Sequence, residues 1–383
     1  MPQKGLKKDD GVRGRREKLS LKGFPFFPDH KTTFVGNRAK NKRNVKMKVG
    51  LCGIGAMGGT HAALLSKQDV EFVAVADAVA EKRKMAEERY GVRTYSSAKS
   101  MIKKEKPDAV LICVPTYLHK ETAVFAMESG CHVFCEKPMA LSPEDCKEME
   151  KVSRKTGKIL QIGQVLRFKA EYVFLKEAIT SGRYGKLESL TLERVGSVSI
   201  GWKRWFLDEK RGGMQIFDRH IHDADIVSWI FGMPESVTSY GFDRGAKHGG
   251  ITHSVTKYNY GKKSPLIVAE GSADLPDEYP FTASFRAVFA NACVEFQSVN
   301  TPSLLVYEGG RSYEPEMPEE MAALDVGLNQ TIVKPYLDEQ ITFFECIRNG
   351  TVQTVVTPES ARNTVRLVRA EIESIRTGKT IKL

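Results

Sequence analysis

The sequence predicts an α/β protein of two units: a doubly wound parallel sheet at the N-terminal end, followed by an α+β unit with an open antiparallel sheet. Three observations support this prediction. The length of 383 residues favours two cores over one. Up to about residue 163, short apolar runs alternate with amphipathic helical stretches. Beyond that point, apolar runs follow one another with few helices between them.

The first unit, residues 47–163, has the alternation expected of a parallel sheet. Its apolar runs of strand length lie at 49–52, 72–76, 109–114, 132–135 and 159–162. Between them, apolar residues recur every three or four positions at 56–66, 80–90, 118–129 and 143–156. Ser142 before Pro143 is a favourable helix start. Strands that alternate with helices predict parallel pairing.

The second unit, residues 164–383, has a different pattern. Its strand-like runs lie at 187–195, 236–240, 255–260, 266–271, 282–289 and 292–297, without helices between them. Two helix-like segments, 218–231 and 358–376, precede and close this series. We therefore expect an α+β domain with an antiparallel sheet.

The formal charge of +11 is concentrated in the first 46 residues. This segment holds 14 Lys and Arg against 4 Asp and Glu, so the rest of the chain carries only +1. Residues 1–46 show no helical or strand period and lack the apolar stretch of a secretory signal, so we interpret them as a disordered extension. A nucleic-acid binder would depend on this tail alone, and we expect no nucleic-acid partner.

The apolar runs and the cysteines argue against a membrane-spanning, a disulfide-bonded or a zinc-binding protein. The longest apolar runs, such as 109–115, are too short to cross a bilayer, so we expect no membrane partner. Seven cysteines scattered through the chain are typical of reduced thiols and favour a cytoplasmic location. Cys131 and Cys135 are four apart, but no second Cys or His pair with zinc-like spacing follows. We predict no metal site.

A glycine motif follows the first predicted strand. Gly53, Gly55 and Gly58 form the pattern G-x-G-x-x-G at the start of a helical segment. Glycines at these positions permit a tight turn, close approach of the backbone to a pyrophosphate, and close packing of helix on strand. The N–H groups of Ala56 and Met57 would point at the phosphates. The first unit is therefore predicted to be a Rossmann dinucleotide-binding domain.

An acidic residue supports this interpretation. Asp77 stands 19 residues after Gly58, at the end of the next predicted strand. Its carboxylate would accept hydrogen bonds from the adenosine ribose hydroxyls and repel a 2′-phosphate, which favours NAD over NADP. Lys82 and Arg83 lie one turn further on and keep NADP as the secondary alternative.

Polar residues also follow two later strands. Pro115, Thr116 and His119 come after the third long run, and Glu136 and Lys137 come after the fourth. Ligands of doubly wound folds bind at this carboxyl edge, so we add these five residues to the predicted cofactor site. Taken alone, Glu136 and Lys137 would be an ordinary exposed charged pair.

A histidine and several acids mark the first helix of the second unit. Asp218 and His222 are four residues apart and would share one helix face, while Asp225 could orient the imidazole from the next turn. The acids could instead simply favour the helix dipole. A metal bound by His220, His222 and Asp225 is a rival interpretation, but residues two apart diverge on a helix.

Together these motifs resemble the Gfo/Idh/MocA oxidoreductase family, which includes glucose-fructose oxidoreductase and inositol dehydrogenase. The resemblance covers residues 47–383. Its markers are the glycine turn, Pro115 with His119, the triplet Glu136-Lys137-Pro138, and the spacing Asp218, His222, Asp225 after a double glycine.

The resemblance implies a chemistry for these residues. Lys137, Asp218 and His222 would be the catalytic set for oxidising a secondary hydroxyl of a cyclic polyol, sugar or glycoside. His222 would take the hydroxyl proton while a hydride passes to the nicotinamide, and Lys137 would stabilise the alkoxide. Glu136 would lie near the nicotinamide ribose.

The predicted substrate site includes residues that depart from the family pattern. We assign to it Lys137, Gln164, Arg167, Trp205, Asp218 and His222. The family often has glycine at His220, and the segment 164–168 replaces the commoner asparagine-arginine form. Trp202, Arg204 and Trp205 would either hold a pyranose ring or anchor their own loop.

Other functions stay open at this point. Some family members recycle a tightly bound NAD to cleave glycosides. A non-catalytic dinucleotide sensor would need the glycines but not Lys137, Asp218 or His222. Relatives bury the open face of the second sheet between subunits, so we expect a homodimer or homotetramer.

Overall fold

A computed structural model describes residues 46–199, 201–245, 250–318, 321, 323–324 and 332–383. The predicted extension, residues 1–46, lies outside the described residues except for Lys46.

The first unit contains a sheet whose paired strands all run parallel. Its strands are β1 (Lys48–Cys52), β2 (Glu71–Ala76), β3 (Arg93–Tyr95), β4 (Ala109–Ile112), β5 (His132–Glu136) and β6 (Leu160–Gly163). Within the described chain the strand order is β3-β2-β1-β4-β5-β6. The order reverses at β1, so the predicted doubly wound parallel sheet is confirmed.

Helices connect these strands. They are α1 (Ala56–Leu65), α2 (Ala80–Tyr90), α3 (Ala98–Glu105), α4 (His119–Glu128) and α5 (Pro143–Thr156). The predicted start of α5 is confirmed, because the Ser142 hydroxyl accepts the N–H of Asp145 at 3.1 Å. The sequence patterns missed β3 and α3, because β3 has only three residues and none of them is fully buried.

The second unit contains a larger, mixed sheet. Its strands are β7 (Leu187–Val195), β8 (Ser236–Asp243), β9 (Ile251–Asn259), β10 (Leu266–Ser272), β11 (Thr282–Phe289), β12 (Ala292–Gln297), β13 (Leu304–Glu308), β14 (Arg311–Tyr313) and β15 (Ile381–Lys382). Over the described ranges the order is β14-β13-β12-β11-β7-β10-β9-β8-β15. The sheet is not wholly antiparallel as predicted, because β10 enters beside β7 and runs parallel to it.

One face of this sheet is covered and the other is open. The helices of this half are α6 (Ala170–Thr180), α7 (Ile221–Phe231), α8 (Lys334–Asn349) and α9 (Pro358–Thr377). Helix α9 packs on β8 and α7, and residues such as Leu190, Leu192 and Ile267 are fully buried. On the open side, large apolar side chains remain exposed, among them Tyr240, Phe242 and Tyr307.

Helix α8 lies in the second unit by sequence but contributes side chains to the core of the first. Its Phe343 and Phe344 belong to one hydrophobic cluster with Val49, Leu51 and Phe134 of the first sheet. The rings of Phe134 and Phe343 are 5.9 Å apart. The region predicted as the second unit, residues 164–383, therefore includes a helix that completes the core of the first.

No helix in the part of the chain that the structure describes is both long and apolar enough to span a bilayer.

Candidate functional site

The glycine motif forms a turn between β1 and α1. Gly53 has φ +88° and donates its N–H to the carbonyl of Ala76 at 2.7 Å. A Cβ at Gly58 would lie 2.1 Å from the carbonyl oxygen of Gly53, so only glycine lets the helix approach the strand this closely. A Cβ at Gly55 would meet no atom within 4 Å, and Gly55 and Ala56 are exposed. The turn therefore presents an open backbone surface at the N-terminus of α1, which fits a pyrophosphate.

Asp77 stands beside this turn at the end of β2. Its Oδ2 accepts the N–H of Ile54 at 2.9 Å, and its Oδ1 accepts the N–H of Val79 at 2.8 Å. Each oxygen has a second lone pair for a ribose hydroxyl. Arg83 donates instead to the backbone carbonyls of Asp77 and Ala78, at 2.8 and 3.1 Å. The carboxylate is thus held where the adenosine ribose of a dinucleotide would lie.

The structure brings two predicted catalytic residues together across the two units. Lys137 follows β5, and Asp218 lies in a π-helical turn, Ile216–His220, that leads into α7. The Lys137 ammonium donates to the backbone carbonyl of Asp218 at 2.6 Å and to its Oδ1 at 3.2 Å. Their side chains are 16% and 14% exposed, so the pair is reachable from solvent but strongly shielded. A cation fixed in this way can stabilise a developing alkoxide.

His222, the third predicted catalytic residue, lies in the first turn of α7. Burial, with the positive charges of Lys137 and Arg194, lowers its pKa well below the usual value for histidine. Among the described residues, nothing hydrogen-bonds its Nδ1. His222 is therefore neutral at physiological pH and can accept a proton.

Buried ion pairs hold this part of the second unit. His220 contacts the Glu371 carboxylate at 3.0 Å, and Arg194 donates two hydrogen bonds of 2.9 Å to Asp223. The His220 ring faces Gly271, where a Cβ would approach it to 2.9 Å. π-Helical turns are often found at functional sites, and here the turn replaces the regular helix that the sequence predicted around Asp218.

The predicted role of Asp225 is wrong, and the structure gives no support for a substrate contact by Arg167. Arg167 donates to both carboxylate oxygens of Asp225, at 2.6 and 2.9 Å, and its third nitrogen donates to the Val355 carbonyl at 2.9 Å. Both side chains are almost fully buried. A buried guanidinium needs a carboxylate partner, so Asp225 pairs with Arg167 instead of orienting His222.

His119, predicted to belong to the cofactor site, lies between two loops at the carboxyl edge of the first sheet. It is buried, and its ring nitrogens lie 2.8 Å from the Pro138 carbonyl and 2.9 Å from the Val114 carbonyl. Its ring therefore joins the segments after β4 and β5, and its contact with a cofactor stays a prediction. Thr116 is buried as well, while Pro115 stays half-buried at this edge.

Gln164 and Trp205 are two further residues that the sequence assigned to the substrate site. Gln164 is buried, and within the described residues its side-chain oxygen has no hydrogen-bond partner. Trp205 stacks on Phe206 with ring centroids 3.9 Å apart, which favours the loop-anchor interpretation. The side chain of Trp202 lies outside the described residues.

The sequence analysis missed several buried polar residues around the site. His61 of α1 and Glu339 of α8 were missed, and His61 lies 2.7 Å from the predicted cofactor residue Glu136. Glu371 supports His220 from α9. One signal was available: Glu371 stands beside Leu367 and Val368 on the apolar face of an amphipathic helix, where a carboxylate requires a partner.

The comparisons with known proteins agree with this geometry. Residues 47–164 match the sequence model described as "Oxidoreductase family, NAD-binding Rossmann fold", and residues 172–263 match the "GFO/IDH/MocA C-terminal domain". Together the two models cover more than half of the chain. The protein belongs to the Gfo/Idh/MocA oxidoreductase family, and its first unit is an NAD(P)-binding Rossmann domain.

Individual relatives match about half of the chain at 30–32% identity. A D-glucoside 3-dehydrogenase of Escherichia coli (strain K12) is 32% identical over 204 residues, which cover 52% of this chain and 58% of the relative. An inositol 2-dehydrogenase of Salmonella typhimurium is 30% identical over 189 residues, 48% of this chain and 54% of the relative. The chain thus matches only about half the length of these relatives.

The fold is also found in solved structures. A myo-inositol 2-dehydrogenase from Lactobacillus plantarum superposes with a TM-score of 0.74 at 23% identity. The match covers 88% of this chain and 99% of that one. This likeness shows that the two chains share a fold.

Proposed function

We propose that the protein is an NAD-dependent oxidoreductase that oxidises a secondary hydroxyl of a cyclic polyol, sugar or glycoside. One observation carries the proposal. The Lys137 ammonium is fixed by Asp218 at the same sheet edge as the glycine turn, and its positive charge acts on the neutral imidazole of His222. A neutral base can take the proton of an alcohol, and a cation can stabilise the alkoxide that forms.

The residues that would hold the dinucleotide fit its chemistry. The turn from Gly53 to Gly58 would take the pyrophosphate, and Asp77 would take the adenosine ribose. The negative charge of the Asp77 carboxylate would repel a 2′-phosphate and therefore favours NAD over NADP. Glu136, at the end of β5, would lie near the nicotinamide ribose. Bound NAD supplies the hydride acceptor.

The remaining chemistry belongs to three side chains. A substrate hydroxyl placed between Lys137 and His222 would donate a hydrogen bond to the neutral imidazole and accept one from the ammonium. His222 takes the proton as the carbinol C–H bond breaks. Lys137 stabilises the negative charge that develops on oxygen, and Asp218 keeps the ammonium in place.

Two classes of relative support the choice of substrate class. Their names include a D-glucoside 3-dehydrogenase and inositol 2-dehydrogenases, which act on ring hydroxyl groups. We therefore propose inositols, free sugars and glycosides as the compounds to test first.

The test is the near-ultraviolet absorbance of NADH, measured with the purified enzyme, NAD and a panel of these compounds. We expect steady NADH formation with at least one compound, and its loss in His222→Ala. The control is His132→Ala, because His132 lies at the N-terminal end of β5, away from the carboxyl edge of the sheet. Equal activity in both variants would reject His222 as the base.

A second candidate is an enzyme that keeps its NAD and returns the hydride to the product. It is favoured by the match to a 2,7-anhydro-N-acetylneuraminate hydratase of Mediterraneibacter gnavus, 34% identical over 197 residues. In that case a glycoside or anhydrosugar would be consumed without net NADH, and the protein would purify with bound cofactor.

We also propose that the open face of the second sheet joins two copies of the chain. The exposed Tyr240, Phe242 and Tyr307 would be covered in such a homodimer or homotetramer. Light scattering should give a multiple of 42.8 kDa, and Phe242→Glu should lower that mass. Val352→Glu is the matched control, since Val352 is 81% exposed and lies beyond α8. A monomeric parent protein would contradict the proposal.

A further inference from the structure

A continuous chain of hydrogen bonds runs from helix α8 to the residue before Lys137. Gln68 donates to the side-chain oxygen of Gln340 at 2.5 Å, and the Gln340 amide contacts His61 Nδ1 at 2.6 Å. His61 Nε2 lies 2.7 Å from Glu136 Oε1, and the other oxygen of Glu136 accepts the N–H of Lys137 at 3.1 Å. The chain therefore joins α1, α8 and the end of β5.

These contacts determine which nitrogen of His61 carries the proton. Gln68 donates to the oxygen of Gln340, so the amide group of Gln340 must be the donor toward His61. Nδ1 then acts as the acceptor, which leaves the proton on Nε2, facing the Glu136 carboxylate. A carboxylate as partner of an imidazole N–H is a recurrent way of fixing a functional side chain.

A second carboxyl group lies against this pair. Glu339 of α8 is fully buried, and neither of its oxygens has a hydrogen-bond partner in the part of the chain that the structure describes. Burial, together with the charge of Glu136, raises the pKa of Glu339 well above its usual value. Glu339 is therefore neutral, and only one of the two carboxyl groups carries a charge.

We propose that His61 is a positioning residue for the catalytic edge: its Nε2–H fixes the Glu136 carboxylate, and Glu136 in turn holds the backbone at Lys137. Gln340 and Gln68 fix the tautomer of His61 that can do so. The inference rests on the proposed function, because it gives Glu136 its place near the nicotinamide. It assigns helix α8, remote in sequence, to the support of the cofactor site.

The groups facing Glu136 determine its charge. They are His61, Lys137, Glu339, Cys113, Cys135 and His119. Burial alone would raise the pKa of Glu136, but the bond from His61 and the charge of Lys137 outweigh burial and lower it. Without His61, the pKa of Glu136 rises, and the carboxylate takes up a proton as the pH falls.

The test measures NAD binding by calorimetry as a function of pH, which requires no substrate. For the parent protein we expect an affinity that is constant through the weakly acidic range. In His61→Leu we expect affinity to fall roughly ten- to a hundredfold, the value of a charge-assisted hydrogen bond, and to weaken further as the pH drops. His61→Gln keeps an N–H donor toward Glu136 and should restore most of the affinity.

His132→Leu is the matched control. His132 lies on β5 at the end opposite Glu136, and its ring accepts the N–H of Ile159. It should lower stability without giving NAD binding a new pH dependence. If His61→Leu behaves like His132→Leu, His61 has only a structural role and the proposal is wrong. Should His61→Leu not fold, nitrogen NMR of the parent imidazole decides, and a proton on Nδ1 contradicts the proposal.

A metal ion bound at His61 would also contradict the proposal that His61 is a positioning residue. His61, Glu136 and Glu339 offer ligand atoms within 4.8 Å of one another. Elemental analysis of the purified protein should find no stoichiometric metal, and Glu339→Gln, which keeps a neutral side chain, should bind NAD as the parent does. Stoichiometric zinc or manganese that is lost in His61→Gln and Glu339→Gln would make His61 a ligand. Because none of these measurements needs a substrate, they stand even if the substrate class proposed above is wrong.

Discussion

The glycine turn after β1 and the π-helical turn before α7 serve the same sheet edge, but they are built in opposite ways. The glycine turn depends on its own backbone: Gly53 needs a positive φ, and Gly58 needs the space where a Cβ would be. The π-helical turn, Ile216–His220, depends on distant partners, because Glu371 of α9 holds His220 and Lys137 meets Asp218.

This difference explains what a sequence reveals. A local steric requirement leaves glycines at fixed spacing, and the spacing is visible without any other part of the chain. A turn held by buried ion pairs leaves only single charged residues, whose partners lie far away in sequence. The glycine turn was therefore predictable in detail, and the contacts that support the π-helical turn and α7 were not.

The largest effect should come from Lys137, which contacts Asp218 of the π-helical turn. Lys137→Met removes the cation at the catalytic edge, and we expect kcat to fall by about 10²–10⁴-fold. NAD binding should change much less, since the glycine turn is untouched. A steady-state assay with calorimetry for NAD separates the two quantities. A fully active Lys137→Met would mean that the Lys137–Asp218 contact has no catalytic role.

The ion pair under α7 should matter for stability rather than for catalysis. Arg167→Met leaves Asp225 as a buried, unpaired carboxylate, and we expect the free energy of unfolding to fall by about 3–5 kcal/mol. The double variant Arg167→Met/Asp225→Leu should recover most of this loss, because no charge is left buried. Urea denaturation measures both. If Arg167→Met keeps its stability but loses substrate affinity, the substrate role predicted from sequence is restored.

Substitutions of Gly55 and Gly58 in the glycine turn should have different effects. Gly58→Ala places a Cβ against the Gly53 carbonyl and should cost about 1–3 kcal/mol of stability, as overpacking does. Gly55→Ala meets no neighbour, so stability should stay within about 0.5 kcal/mol, while NAD binding weakens about tenfold. Thermal denaturation and calorimetry distinguish these outcomes, and equal effects of both variants would contradict the geometry of the turn.

The pH dependence should report on His222. Its pKa lies well below the usual 6.5, and only the neutral ring can take a proton. The group is therefore active above its pKa, and kcat/KM should stay constant from neutral pH down past 6.5 before it falls. His222→Ala should lose this acid limb. An acid limb centred at or above 6.5 would contradict the burial of the ring.

The smallest effect should come from Asp77. Its carboxylate would prefer ribose hydroxyls over a 2′-phosphate, so Asp77→Ser should narrow the preference for NAD over NADP by about tenfold, equal to about 1.4 kcal/mol. The ratio of KM values for the two cofactors measures this preference. An unchanged ratio would mean that Asp77 serves only its backbone partners, Ile54 and Val79.

The sequence was sufficient for most of the alternation of strands and helices in the first unit, the strand that carries each motif, and the Ser142 cap. The sequence was insufficient where a polar side chain had more than one possible hydrogen-bond partner. By helical spacing, Asp225 was a reasonable partner for His222. The buried guanidinium of Arg167 needs a negative partner, however, and it forms an ion pair with Asp225. Helix α8 gave no sign that it returns to the first sheet, because packing between distant segments leaves no local pattern.

The transfer of the hydride itself tests the central claim most directly. A substrate from the panel, deuterated at the carbinol carbon, is incubated with the enzyme and NAD, and the recovered cofactor is examined by NMR. We predict deuterium at C4 of the nicotinamide with the parent enzyme and none with His222→Ala. Substrate turnover that leaves the nicotinamide unlabelled and releases the deuterium to water would contradict hydride transfer at this site.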